Sequence, residues 1–278
     1  MHQEAPLGLA HAVKVARGFI GDDPFVMYLG DNLLKNGITS FVSEFDKGGA
    51  DAQILLATVK NPGDFGVAEL KGGRVVGLEE KPKNPKSDYA LVGVYMFNHH
   101  IFEAVDNIKP SWRNELEITD AIQFLIDKGF VVKSHIVDGW WKDTGKLEDI
   151  LEANHMVLQE LEAKVESELD ASSQINGKVR IAKNVTISGS VLRGPCVIGE
   201  GARIIDSYIG PFTSIGRGTE IMQSEVENSI VLEECVIKDV GSRIGNSLIG
   251  RNVTVAKNKR PPKSYQFMVG DNSDIILP

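Results

Sequence analysis

Phe25-Val26-Met27-Tyr28-Leu29-Gly30-Asp31-Asn32 is an apolar run stopped by Gly-Asp. Such a run reads as a buried strand that delivers a carboxylate to its own carboxyl end, and in open α/β sheets that end is where ligands bind. A second aspartate stands in Gly139-Trp140-Trp141-Lys142-Asp143-Thr144-Gly145. Brought together, Asp31 and Asp143 would hold a divalent metal over a nucleotide phosphate. Either aspartate taken alone reads as a turn or helix-cap residue, so the pair is judged by its surroundings.

Outward from this strand, helical and strand patterns alternate over the first 145 residues. Helices are predicted over 7–19, 38–46 and 118–128, and strands over 25–29, 53–59, 89–97 and 130–137. Residues 67–70 and 74–79 form a hairpin-like pair around Lys71-Gly72-Gly73. The alternation implies an α/β fold with a mixed or mainly parallel sheet. Residues 146–165 carry Leu147, Ile150, Leu151, Leu158, Leu161 and Val165 at helical spacing, an amphipathic connecting helix whose apolar stripe reads as core packing.

From about residue 172 the texture changes. Apolar residues recur every six positions, as Ile175, Ile181 and Ile187, then Ile198 and Ile204, then Ile209, Ile215 and Ile221. Several are followed by glycine, as in Ile198-Gly199 and Ile215-Gly216. That period is the signature of a hexapeptide β-helix, whose coils stack their isoleucines into one core. The five-residue step from Ile204 to Ile209 is expected to be a bulge or loop, and Lys259-Arg260-Pro261-Pro262-Lys263 to end the repeat. The expected division is therefore 1–145, a connecting helix over 146–171, the β-helix over 172–260 and a tail over 261–278.

A hydrophobic content of 42% and a charged content of 24% are ordinary for a soluble globular protein. The net charge of −8 argues against a general nucleic-acid binder, which needs a basic face. A phosphate-rich substrate would have to be met by local cations and metal. Two cysteines, Cys196 and Cys235, fit a reducing compartment, and no apolar run approaches the ~20 residues of a membrane span. The expected location is cytoplasmic.

Seven motifs then appear in order: Gln3-Glu4-Ala5-Pro6-Leu7-Gly8-Leu9-Ala10-His11-Ala12, Leu29-Gly30-Asp31-Asn32, Asp64-Phe65-Gly66-Val67, Glu79-Glu80-Lys81-Pro82, Leu91-Val92-Gly93-Val94-Tyr95, Glu115-Leu116-Glu117-Ile118-Thr119-Asp120 and Trp141-Lys142-Asp143-Thr144-Gly145. In order and spacing the chain resembles the sugar nucleotidyltransferases, within them the glucose-1-phosphate thymidylyltransferases that carry a C-terminal left-handed β-helix. The resemblance implies a Rossmann-like nucleotidyltransferase domain followed by that β-helix. It implies attack of a sugar-1-phosphate oxygen, from glucose-1-phosphate first of all, on the α-phosphorus of a nucleoside triphosphate such as dTTP, with pyrophosphate leaving.

By the same resemblance Asp31 and Asp143 ligate Mg²⁺, and Lys81 sets its ammonium on the sugar phosphate, in an extended conformation that Pro82 favours. Glu80 accepts from sugar hydroxyls, and Gly66 lets the backbone approach the hexose. Leu91 and Gly93 line the sugar pocket or simply fill strand core. Gln3 and Gly8 occupy the base-reading positions, where an amide offers one donor and one acceptor. Trp140 and Trp141 read as packing that holds the Asp143 loop, and Arg113 as a phosphate contact or a surface residue.

The sequence departs from the family at its start. The family opens with a strand and a G-x-G-T-R loop that cradles the triphosphate, and neither precedes Gln3 here. The expectation is a chain lacking its first strand and phosphate loop, with a weakened sheet, or else a non-catalytic regulatory relative. Uridylyl or adenylyl transfer is the alternative on substrate. An acyltransferase, as other hexapeptide β-helices are, is disfavoured because no histidine follows His155. The β-helix is left as an oligomerisation or regulatory module, and a homo-oligomer is implied.

Overall fold

In the computed structural model, residues 1–259 and 264–277 are described. They form two compact units, Met1–Asp143 and Thr144–Pro278. No helix among the described residues is long and apolar enough to cross a membrane.

The first unit runs α1 (Leu9–Ile20), β1 (Phe25–Tyr28), β2 (Asn32–Leu34), α2 (Thr39–Phe45), β3 (Ala52–Thr58), β4 (Gly66–Lys71), β5 (Arg74–Glu80), β6 (Tyr89–Phe97), α3 (Ile101–Asn107), α4 (Ile118–Asp127), β7 (Val132–Ile136) and β8 (Trp141–Asp143). The main sheet has the order β5-β4-β6-β3-β7, with β1 added to β6. It is mixed: β3 is parallel to β7 and antiparallel to β6, and β1 and β4 are antiparallel to β6. Strand β6 is the axis, with residues 90–97 all buried. Its alternation splits the core in two. Leu91, Tyr95 and Phe97 pack with α1, α3 and α4, whereas Val92, Val94 and Met96 pack with Phe45 of α2.

Two expectations change here. Strand β1 is half-buried and not a buried core strand: Val26 and Tyr28 are 38% and 45% exposed, because only one face of the apolar run turns inward. An apolar run alone does not reveal that alternation. Helix α3 was not anticipated, although Ile101, Phe102, Ala104 and Val105 bury a helical face.

The second unit begins with α5 (Leu147–Gln159), shorter than the sequence pattern suggests. Residues Lys164–Val165 already pair in parallel with Arg180–Ile181, so β structure starts ahead of residue 172. A parallel β-solenoid follows, consistent with a left-handed β-helix. Ile175, Leu192, Ile209 and Val226 stack on one side, Val179, Cys196 and Thr213 begin the strands of the second, and Ile187, Ile204, Ile221 and Ile237 stack on the third.

The five-residue step is not a bulge. It recurs from Ile187 to Leu192 and from Ile221 to Val226, which makes it one regular side of each coil. Corners turn through left-handed residues, among them Asn184, Asp206, Phe212, Gln223, Asn228 and Asp239. A hydroxyl ladder satisfies the buried backbone at one corner: Ser190 Oγ accepts from Ser207 N at 3.1 Å, and Ser207 Oγ from Ser224 N at 3.3 Å. Helix α5 is fastened to the coils through Asn154, which donates to the Phe212 carbonyl at 2.9 Å and accepts from Ser214 Oγ at 2.6 Å. The His155 ring stacks on Phe212 at 4.1 Å. Arg260 to Lys263, expected to end the repeat, lies outside the described residues; among the described residues the last coil strand is Thr254–Ala256.

Candidate active site

Asp143 and the neighbour of Asp31 meet in a two-stranded ribbon. Strand β2 pairs antiparallel with β8 so that Asn32 faces Asp143 and Leu34 faces Trp141. Asp31 stands one residue before the ribbon, exposed, in the turn that leaves β1. The buried Asn32 side chain donates through Nδ2 to Asp31 Oδ1 at 2.9 Å. Its Oδ1 accepts from Trp141 Nε1 at 2.6 Å and from the Gly93 amide at 3.2 Å. The donor set is hard oxygen, which suits Mg²⁺. No group of three or more histidine, cysteine or acidic side chains gathers as a metal cage among the described residues. Two carboxylates with water and phosphate oxygens completing an octahedron are the arrangement this donor set fits.

The second cluster lies where β4, β5 and α4 meet. Gly66 pairs with Glu80 across the β4–β5 hairpin. A Cβ on Gly66 would come within 2.7 Å of Thr119 Cγ2 and 3.1 Å of Glu80 Oε2. Thr119 Oγ1 donates to Glu80 Oε2 at 3.2 Å. Arg113 stands 3.7 Å from Glu80, 3.0 Å from Glu115 and 3.5 Å from Glu117, itself 4% exposed. Burial, followed by the charge of Glu117, pushes the Glu80 carboxyl above its ordinary range; the Thr119 hydroxyl, Lys81 and Arg113 oppose that.

Lys81 departs from its expected backbone. Its φ is 43°, left-handed and not extended. Its amide donates to the Phe65 carbonyl at 3.0 Å while Pro82 is buried, so the chain must turn sharply on leaving β5. A non-glycine residue held this way ahead of a proline is strained, which is a feature of functional loops.

One buried phenol feels the charge of both clusters. Burial, then the charges of Glu80 and Asp31, drive the Tyr95 hydroxyl well above its ordinary value. The Phe65 ring also meets Trp141 edge-on, with centroids 5.3 Å apart. Leu91, 5% exposed, lies beside Gly66. Gly93 sits under Asn32, since a Cβ there would meet the Asn32 carboxamide at 2.7 Å and Leu29 at 2.8 Å.

At the far end, Gly8 has φ 98° and presses on the Leu116 backbone, which a Cβ would approach to 2.4 Å. The Leu116 amide donates to Leu7 and its carbonyl accepts from Ala10, tying the start of α1 to the Arg113–Glu117 segment. Gln3 is held by the chain itself: Nε2 donates to the Gly8 carbonyl at 3.1 Å and lies 3.0 Å from His11 Nδ1. Residues 1–160 match the nucleotidyl transferase family profile. The chain belongs to the nucleotidyl transferase family. It is 51% identical to the glucose-1-phosphate thymidylyltransferase of Streptomyces antibioticus, over 100% of this chain and 78% of that relative. It is 48% identical to the enzyme of the same name from Streptomyces griseus, over 98% of this chain and 76% of the relative. The solved structure of a candidate glucose-1-phosphate thymidylyltransferase from Bacillus anthracis, in complex with sucrose, aligns with a TM-score of 0.50 at 37% identity. That alignment covers 55% of this chain and 61% of the other.

In this nucleotidyl transferase, several residues that shape the site carry little sequence signal of their own. Tyr95, Asn32 and Trp141 lie inside the quoted motifs, but their roles depend on contacts between segments far apart in the chain. Thr119 and Glu117 read as helix-start residues by position. Only the fold shows that they face Glu80.

Proposed function

We propose that this transferase joins dTMP from dTTP to glucose-1-phosphate, releasing pyrophosphate and forming dTDP-glucose. The reading is supported by the β2–β8 pairing, in which Asn32, the neighbour of Asp31, faces Asp143. Asp31 and Asp143 would hold Mg²⁺, which when bound offsets the repulsion between the two anionic phosphates. Lys81, on its fixed turn, adds a point charge for the sugar phosphate. Glu80, half-buried and held by Thr119, is an acceptor for a hexose hydroxyl, and Gly66 keeps the backbone free of a side chain beside it. Gly8 and Gln3 lie at the end assigned to the base; the Gln3 amide is already engaged by Gly8 and His11, so Gly8 is the firmer assignment.

The names of the two Streptomyces relatives favour thymidylyl over uridylyl transfer. Thymine and uracil differ by one methyl, worth about 1–3 kcal/mol of discrimination, so the preference is one of degree. The setting we favour is cytoplasmic, with two buried free thiols, and the solenoid serves assembly of a homo-oligomer. The test is pyrophosphate release from dTTP and glucose-1-phosphate by the purified chain and by Asp31→Ala and Asp143→Ala. Loss of turnover in both variants, with circular dichroism unchanged, supports the reading. Near-normal rates in both would sink the metal assignment.

A further inference from the structure

The Asn32 side chain touches three segments behind the two carboxylates, at Asp31, Gly93 and Trp141. Asn32 is 4% exposed, and the hydrogen bonding of its carboxamide is almost fully committed. Oδ1 takes two N–H donors, the Trp141 indole at 2.6 Å and the Gly93 amide at 3.2 Å. Neither donor can be exchanged for an acceptor, so the oxygen of the carboxamide must face them. The amino group is then turned toward Asp31, which it meets at 2.9 Å. Gly93 supplies the space, since any side chain at that point of β6 would overlap the carboxamide.

We propose that Asn32 is the positioning residue of the metal site, holding Asp31 in register with Asp143; this rests on the assignment of those two aspartates as the metal ligands. The link runs from Asp31 through the Asn32 carboxamide to the Trp141 indole, two residues before Asp143 on the same short strand. A ribbon of three residues on each side has few backbone bonds to fix its place. The side chain adds three hydrogen bonds, one of them to the carboxylate itself. Asn32 contacts no metal in this scheme. It sets the direction of one ligand and the distance to the other, as partners behind a metal's own ligands do.

The test is Mn²⁺ binding to the full chain, followed by loss of the free-ion electron paramagnetic resonance signal. It needs no substrate turnover. Wild type, Asp31→Ala, Asn32→Ala and Trp141→Phe are compared, with thermal melts to check folding. Removal of a residue behind the ligands weakens metal affinity 10–100-fold in typical sites, so about that loss is expected for Asn32→Ala. Trp141→Phe keeps a ring against Phe65 and removes one donor, and a smaller loss of the same sign is expected. If Asn32→Ala fails to fold, Trp141→Phe decides alone. Unchanged Mn²⁺ affinity in a folded Asn32→Ala or in Trp141→Phe, with affinity lost in Asp31→Ala, overturns the positioning role. Unchanged affinity in Asp31→Ala overturns the ligand assignment beneath it.

Discussion

Gly66→Ala tests whether glycine at this position is a steric requirement. The new Cβ would lie 2.7 Å from Thr119 Cγ2 and 3.1 Å from Glu80 Oε2. The Glu80 carboxylate is the end of a flexible side chain and can swing aside. Thr119 cannot, since it is 1% exposed and its hydroxyl is tied to Glu80 at 3.2 Å. Overpacking of this kind costs about 1–3 kcal/mol. Thr119→Ser deletes the offending methyl and keeps the hydroxyl, at about 1 kcal/mol for the lost burial. The double variant then relieves the clash. Its cost should be near that of Thr119→Ser alone, a coupling of about 1–3 kcal/mol in favour of the pair. All three tryptophans, Trp112, Trp140 and Trp141, lie in the first unit, so urea unfolding followed by tryptophan fluorescence reports on the right part of the chain. The KM for glucose-1-phosphate should rise in Gly66→Ala and stay raised in the double variant, because the methyl still crowds the Glu80 carboxylate proposed to accept a hexose hydroxyl. Costs that add to within ~0.5 kcal/mol would refute the steric argument.

Glu80→Gln should raise stability at pH 7 and change it little at pH 4. The folded carboxyl is shifted above its ordinary value of 4.5, so its contribution is present below that pH and is lost as pH rises through the higher folded value; melts at several pH values check the slope. Lys81→Gly should stabilise the fold by about 0.5–1 kcal/mol by relieving the left-handed backbone at φ 43°, yet lower activity, whereas Lys81→Ala should lose activity with no such gain. Ser207→Ala should cost about 1–3 kcal/mol, because the Ser224 amide loses its buried acceptor; Ser40→Ala, at an exposed position, should stay within about 0.5 kcal/mol. Denaturant melts of the two serine variants measure that contrast.

Most of the architecture was legible in the sequence because periodicity is local. Strand β6 was read to the residue, and the isoleucine period announced the solenoid before any coordinate. Local patterns also set the errors. The five-residue step looked like a defect because a repeat of six gives no reason to expect three unequal sides. The expected helix past residue 159 ran too far because Leu161 and Val165 fit helical and strand spacing equally. At the site, Asp31, Asp143, Lys81 and Glu80 came from motifs, and the structure adds what sequence cannot supply: partners. Arg113, read as a phosphate contact or a surface group, is ringed by three glutamates. The Lys81 conformation was misjudged because a following proline disfavours helical backbone but does not enforce an extended one when a hydrogen bond to Phe65 fixes the turn.

Because the solenoid repeats by stacking, with Ser190, Ser207 and Ser224 each 17 residues beyond the last, its length behaves as a ruler with whole-coil graduations. Removing one residue from a strand would turn its isoleucine outward and break the ladder above and below. Removing a whole coil would pass each contact to the next equivalent residue, as from Ile204 to Ile237 over Ile221. Each step shortens the domain by about 4.8 Å, the spacing of neighbouring strands. Change in this half of the molecule is therefore discrete, whereas the catalytic half, with its crossed connections, offers no such unit of exchange.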